Sequence, residues 1–285
     1  MTSASARSLH MSSTAVMQAS ERSSAFVRER WPECFDVAVV AGSGIDQSVR
    51  DWQLIDRMAY ASIPGFSSST VHGHRGELLW MQHERKNVLV FLGRRHLYEG
   101  CSILTTVVNP LLASAVGCTA FVLSNAAGGM KSTMKAGDLM LAHDLVNATH
   151  RCMCIDTTQR RPLLDAEYRK IVQNDVYTHT EDAKTWLHEG VYISVTGPSY
   201  ETRAEVRMYS LFADAIGMSS ILEAQAATQL GMRTLCVSVI SNTLGTTGVS
   251  AHKLTHDEVL QTAQASTSRM EKVLASAVRH GGSLL

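Results

Sequence analysis

Arg94, His96 and Glu99 stand close together in Gly93-Arg94-Arg95-His96-Leu97-Tyr98-Glu99-Gly100, directly after the apolar run Val88 to Leu92. A guanidinium beside an imidazole suits a tetrahedral oxyanion, because the Arg fork carries a permanent charge and the ring adds a directed hydrogen bond. Glu99 can hold His96 in one orientation. Taken alone, the stretch reads equally well as a charged loop capping a helix.

Three other segments offer an anion a main-chain seat. Ala41-Gly42-Ser43-Gly44 follows the apolar run Val37 to Val40, and glycines flanking a serine let amides and a hydroxyl approach closely. Gln47 occupies the place of the third glycine in a dinucleotide fingerprint, which argues against a Rossmann cofactor site. Ser124-Asn125-Ala126-Ala127-Gly128-Gly129 closes another apolar run with small residues, leaving room for a ligand or simply making a tight turn. Ile216-Gly217-Met218-Ser219-Ser220 leads into a helical run over 221–230. There Ser220 and Glu223 read as an S-x-x-E capping box, with Ser219 at the positive helix end.

Glu201, Asn242 and His256 each follow an apolar strand or precede a helix. Singly, each reads as structural. Together a carboxylate, an amide and an imidazole can read a heterocycle's polar edge and a sugar hydroxyl.

Such residues need a scaffold. Short β-branched runs alternate with helical stretches, which argues for an α/β chain with a mainly parallel sheet covered by helices. The strands expected are Val37–Ala41, Val88–Leu92, Ala120–Asn125, Leu139–Val146, Val191–Val195, Ala213–Ile216 and Thr234–Ser241. One unbroken helix is expected from about His256 to Arg279. With 285 residues, 45% hydrophobic, and no internal repeat or linker, one domain over 25–285 is expected. Residues 1–24 are rich in Ser, carry Arg7 and Arg22 and have no acid before Glu21. They read as a flexible N-terminal segment running into a short helix at Ala25–Arg30, with a transit peptide as the alternative.

Lys plus Arg equals Asp plus Glu at 26 each, so charge gives no reason to expect nucleic acid, a membrane surface or a polyacid as partner. A small molecule is the natural ligand class. The six cysteines lack zinc spacing and several sit in apolar runs, as in a reducing cytoplasm. No run approaches the roughly 18 apolar residues of a membrane span.

In order along the chain, these pieces resemble the homotrimeric purine nucleoside phosphorylases, from about Val37 to Leu260. The matching motifs are Gly42-Ser43-Gly44, His72-Gly73-His74-Arg75-Gly76, Gly93 to Gly100, Asn125 to Gly129, Gly197-Pro198-Ser199-Tyr200-Glu201-Thr202, Gly217-Met218-Ser219, Ile240-Ser241-Asn242 and His256 to Leu260. The resemblance implies a single domain with a central mixed, mostly parallel sheet, partly barrel-like, surrounded by helices. It implies phosphate held by Ser43, His74, Arg94, His96, the Ala126 backbone and Ser219. Ribose would meet Tyr98, Tyr192, Met218 and His256, and the base Tyr200, Glu201 and Asn242. The catalytic group would be His96, Glu99, Asn242 and His256.

The implied reaction is phosphorolysis of purine ribonucleosides and deoxyribonucleosides, chiefly inosine and guanosine, in cytoplasmic purine salvage. It needs no metal and no cofactor, since inorganic phosphate is a co-substrate. The base choice follows because Glu201 can accept the N1 proton of a 6-oxopurine, which adenine lacks. Relatives that take 6-aminopurines tend to have Asp at the position of Asn242.

Four features depart from the family pattern. Arg95 replaces an aromatic, His72 replaces a proline, Thr243 replaces a longer residue, and 147–161 lacks the usual inter-subunit lid motif. With the glycine-rich stretch Leu244 to Gly248, Thr243 suggests broadened specificity, extending to adenosine or pyrimidine nucleosides. Two rival classes are a metal hydrolase built on His72, His74, His150, Cys152 and Cys154, and a homologue that binds nucleosides without turnover. Methylthioadenosine phosphorolysis is disfavoured by His256 and Asn242.

Overall fold

The computed structural model describes residues 13–42, 44–67, 75–153, 162–244 and 256–282. Its strands are β1 (Val37–Ala41), β2 (Gln53–Ala59), β3 (Glu77–His83), β4 (Lys86–Leu92), β5 (Ala120–Gly129), β6 (Leu139–Asn147), β7 (Leu187–Ser194), β8 (Ala215–Gly217) and β9 (Arg233–Thr243). The helices are α1 (Ser13–Arg30), α2 (Ile103–Thr106), α3 (Val108–Ala115), α4 (Ala166–His179), α5 (Ala183–Trp186), α6 (Arg203–Tyr209), α7 (Ile221–Gln229), α8 (His256–Ala265) and α9 (Thr267–His280).

One sheet runs β2-β3-β4-β1-β5-β8-β7-β6-β9, and β9 returns to pair with β5, so that β5, β8, β7, β6 and β9 close on themselves as a barrel. Pairs β1–β4, β1–β5, β5–β9, β6–β7 and β7–β8 are parallel; β2–β3, β3–β4, β5–β8 and β6–β9 are antiparallel. This is the mixed, partly barrel-like α/β domain expected.

Strand β1 is buried along its whole length because helices cover both faces. Ala38 and Val40 pack with Val27 of α1, Leu111 of α3 and Ala224 of α7. Val37 and Val39 point the other way, toward Tyr168 of α4 and Val273 of α9. The seven expected strands are all present.

Strands β2 and β3 were not among those expected. Their turn into β4 explains part of this: Glu84 and Arg85, between paired His83 and Lys86, both have positive φ (50° and 62°). A two-residue turn of this hand is usually signalled by Asn-Gly or Asp-Gly, and here charged residues take the left-handed conformation. Strand β2 is also mostly exposed, so it lacks an apolar alternation.

At the N-terminus the helix is longer than the short one expected at Ala25. Within 13–24, Ser23 and Ser24 are buried, and their hydroxyls donate to the carbonyls of Ser20 and Glu21 at 3.1 Å each. Serines that satisfy themselves against the preceding turn need no water, so a Ser-rich stretch can lie against a core. Ser20 Oγ also reaches the Leu111 carbonyl of α3 at 3.2 Å. Beyond the helix end, Trp31 is buried and donates to Asp56, which Arg30 also grips; these bonds lower the Asp56 carboxyl to about 2.

The C-terminal helix, expected to be continuous, is divided at Ser266. Its hydroxyl donates to Gly137 O (3.1 Å) and to Thr262 O (2.9 Å), diverting the chain between α8 and α9.

Candidate active site

Parallel strands β4, β1 and β5 lie side by side, and the turns after β4 and β1 open beside the part of β5 that runs on past them from Ser124 to Gly129. Ligands of α/β sheets gather at such strand ends. Gly42 is needed there, because a Cβ on it would lie 2.8 Å from the Ser124 carbonyl.

Arg94 leaves the end of β4 and is almost wholly buried. Nη1 donates to Ser220 Oγ (3.0 Å) and Ser219 Oγ (3.4 Å) and lies 3.3 Å from Glu223 Oε2; Nη2 donates to the carbonyls of Ser124 and Val40. The guanidinium is therefore tied to β1, β5 and the start of α7. Tyr60 and Asn109 fix the preceding residue by donating to the Gly93 carbonyl at 2.9 and 3.2 Å.

Ser220 does not cap α7 as expected. Its φ is +70° and its hydroxyl makes no capping bond. Instead Ser220 Oγ accepts from Arg94 and from Asn125 Nδ2 (2.9 Å), while Glu223 faces Arg94 and Asn109 from inside the helix. The buried charge on Arg94 outbids a capping role worth about 1 kcal/mol. Glu223 is thus a site residue that the motif concealed; the available clue was the one charged residue in the run Ile221 to Ala227, where Gln225 is the only other polar side chain.

His96 is held by Glu99 Oε1, which accepts the His96 backbone N–H at 2.7 Å and lies 3.2 Å from Nδ1. The two make a reciprocal cap on a short helical turn, so the helix-cap and orienting readings of this stretch hold together. The ring stacks on Tyr98 with centroids 4.8 Å apart. Burial lowers the His96 pKa, the Glu99 hydrogen bond opposes this, and Arg94 and Arg95 add to the lowering. A neutral ring whose Nδ1–H donates to Glu99 keeps Nε2 as an acceptor. Burial pushes the Tyr98 phenol up to about 12, so it remains a donor at neutral pH.

These groups face a partly open cavity whose lining includes Arg94, Arg95, His96, Thr149, Ser194, Met218 and Ser219. Thr149 and Ser194 were not among the expected contacts. Ser194 Oγ donates to the Ser219 carbonyl at 2.9 Å, which holds that residue at the cavity wall.

Residues 36–279 match the family model described as the phosphorylase superfamily. Purine nucleoside phosphorylase 1 of Bacillus subtilis is 34% identical over 90% of this chain and 97% of that protein. The chain belongs to the purine nucleoside phosphorylase family. The Mycobacterium tuberculosis member is 38% identical over 85% of this chain and 88% of its own. In structure, the Schistosoma mansoni purine nucleoside phosphorylase, solved in complex with adenosine, matches with a TM-score of 0.80 at 25% identity, over 94% of this chain and 97% of that one.

Of the expected residues that the structure describes, Tyr192, Tyr200, Glu201, Asn242 and Ala126 are not among those lining this cavity. Tyr192 is wholly buried behind it, its hydroxyl donating to the Ser219 carbonyl at 3.3 Å; a Cβ on Gly217 would come 2.5 Å from that hydroxyl. Tyr200 is half exposed and near enough to Tyr98 to act on it electrostatically. Glu201 sits on the loop before α6, and burial raises its pKa above the usual carboxylate value. Asn242 lies near the end of β9 opposite Gly128, and the Ser241 hydroxyl is shared between Asn242 Oδ1 (2.9 Å) and the Ala127 carbonyl (3.2 Å). Ala126 is on β5 beside Val239. Ser43 and His74 lie outside the described residues; His256 begins α8, with its side chain outside them.

Arg95, one of the four departures from the family pattern, lines the same cavity as Arg94 and His96. Its Nε lies 3.3 Å from Glu99 Oε2, and Nε and Nη2 are 3.1 and 3.0 Å from Cys101 Sγ.

Proposed function

We propose that this chain splits purine nucleosides and deoxynucleosides, chiefly those of hypoxanthine and guanine, with inorganic phosphate in purine salvage. The observation that carries the reading is the Arg94 guanidinium, anchored on three elements and sharing one cavity wall with His96 and Ser219. Fixed charge of this kind stabilises an anion at no reorganisation cost during reaction.

In this reading Arg94, His96, Ser219, Ser43, His74 and the Ala126 amide hold the phosphate. A phosphate oxygen attacks C1′ as the bond from C1′ to N9 breaks, and the bond's electron pair leaves with the base. The phosphate dianion offsets positive charge developing on the ribose. Asn242 stabilises the departing purine at N7, and the proton brought by monohydrogen phosphate ends on the base, which leaves as neutral purine beside ribose 1-phosphate. Glu201 accepts the N1 proton of a 6-oxopurine. Tyr98, Met218 and His256 meet the ribose, and Tyr192 acts from behind through Ser219. The Tyr200 ring packs on the base. The expected assembly is a homotrimer in the cytoplasm, and sedimentation analysis of the purified protein reads its subunit number.

The direct test incubates the protein with inosine, with and without phosphate. Hypoxanthine and ribose 1-phosphate formed in equal amounts, and only with phosphate, support the reading; hypoxanthine with free ribose in phosphate-free buffer indicates a hydrolase instead. A second reading, turnover of adenosine as well, is favoured by the adenosine complex of the Schistosoma mansoni relative and by Thr243. Adenosine and pyrimidine nucleosides belong in the same assay.

A further inference from the structure

Glu99 uses both carboxylate oxygens, and they face different partners. Oε1 accepts the His96 backbone N–H and approaches Nδ1, while Oε2 lies 3.3 Å from Arg95 Nε. Glu99 and Arg95 side chains are 2% and 17% exposed, so this ion pair is largely out of water, where charge acts more strongly than at a surface. Cys101 Sγ holds the same guanidinium through Nε and Nη2. The arrangement is a relay: sulfur steadies guanidinium, guanidinium steadies carboxylate, carboxylate orients imidazole.

The relay has an electrostatic consequence. A carboxylate alone beside an imidazole favours the imidazolium. A guanidinium on the far oxygen offsets that pull. Among the described residues, the charged or titratable groups that also bear on the ring or share its cavity include Arg94, which acts in the same sense as Arg95, the stacked Tyr98, and Glu223 of α7 on the cavity wall, whose charge is paired with Arg94.

We propose that Arg95 is a positioning residue that fixes Glu99 and, through it, sets the charge state of His96. The part of this that concerns phosphate rests on the functional reading above; the part that concerns His96 does not. With Arg95 in place the ring is neutral near pH 7, so Nε2 can accept from the hydroxyl of monohydrogen phosphate.

The test follows the ring titration of His96 by NMR in histidine-labelled protein, the resonance being assigned from its loss in His96→Asn. Arg95→Leu removes one of the influences holding the midpoint down, so the midpoint should rise by about one pH unit. Arg95→Lys keeps the charge and should stay near the wild-type midpoint. Arg95→Gln keeps polar contacts without charge and should behave as the Leu variant, which covers the case in which Leu at this position prevents folding. In parallel, the acid limb of kcat/KM for phosphate should move upward with the NMR midpoint.

An unchanged His96 midpoint in Arg95→Leu or Arg95→Gln overturns the proposal, as does a Lys variant that shifts as far as Leu. Absence of phosphorolysis in the wild-type chain would instead refute the functional reading, and the titration result would stand by itself.

Discussion

Arg94 and Glu223 lie 3.3 Å apart with their side chains only 2% and 4% exposed. Burial pushes the Glu223 carboxyl upward in pKa, and Arg94 and Asn109 pull it back. A pair of this kind adds little net stability over an apolar replacement, yet removing one partner strands the other. Glu223→Gln should therefore destabilise the protein by about 3 kcal/mol, read as a lower urea midpoint with an unchanged slope. Phosphate should offset much of that loss, because its charge replaces the missing carboxylate beside Arg94. The comparison is between thermal shifts with saturating phosphate: the shift should be larger in Glu223→Gln than in wild type, and equal shifts would show that Arg94 does not face the anion.

Arg94→Met tests the same relationship from the other side. Charge-assisted hydrogen bonds contribute about 1.5–3 kcal/mol each, so kcat/KM for phosphate should fall by at least about 100-fold if two are lost. The inosine KM should change far less. A parallel loss in both would place Arg94 in general folding rather than in phosphate binding.

Much of this site was visible in the chain before folding. Gly93 to Gly100 follows a pure β run, and the alternation of such runs with helical segments locates the strand ends. The partners that make Arg94 effective were harder to see. Tyr60, Asn109 and Glu223 are far apart in sequence and meet only through the sheet order, so no local spacing reports them. Ser220 and Glu223 were misread because three-residue spacing is the signal for a helix cap, and tertiary charge pairing overrode it. Strands β2 and β3 escaped because their periodicity is weak and Glu84-Arg85 is an unexpected turn pair.

That turn gives a stability prediction independent of function. Arg85 is exposed with φ of 62°, a conformation that costs a side-chain-bearing residue roughly 1 kcal/mol and glycine almost nothing. Arg85→Gly should thus raise stability by about 0.5–1 kcal/mol. Glu84 should be left alone, since its carboxylate pairs with Arg279 at 2.8 Å. Urea denaturation of wild type and Arg85→Gly measures the difference, and a lower midpoint in the variant would contradict the turn assignment.

Glu201 predicts a pH effect on the base rather than on phosphate. Burial is the main cause of its raised pKa, its backbone hydrogen bond opposes, and Glu205 adds to the rise. As pH falls through that raised value, Glu201 takes a proton and no longer accepts freely from N1–H. The inosine KM should therefore climb on the acid side, beginning above the usual carboxylate range. Glu201→Gln should flatten this limb and lower inosine kcat/KM by about 100-fold or more. KM against pH for both proteins settles it, and an identical acid limb in the variant would assign the titration elsewhere.

Asn242 should decide between 6-oxo and 6-amino purines, and the test is a change in ratio. The amide sits near the end of β9 with Oδ1 sharing the Ser241 hydroxyl, which leaves Nδ2 as the group able to donate to N7 of a departing base. Asn242→Asp replaces that donor by a carboxylate, which repels N7 and O6 of hypoxanthine as negative charge builds there. Loss of one donor to a developing anion costs about 100- to 1000-fold in rate, so inosine turnover should fall by that factor. Adenosine is affected differently, because its 6-amino group can donate to the new carboxylate. The adenosine-to-inosine ratio of kcat/KM should rise by at least about 100-fold; a uniform loss on both substrates would mean that Asn242 does not read the 6-position.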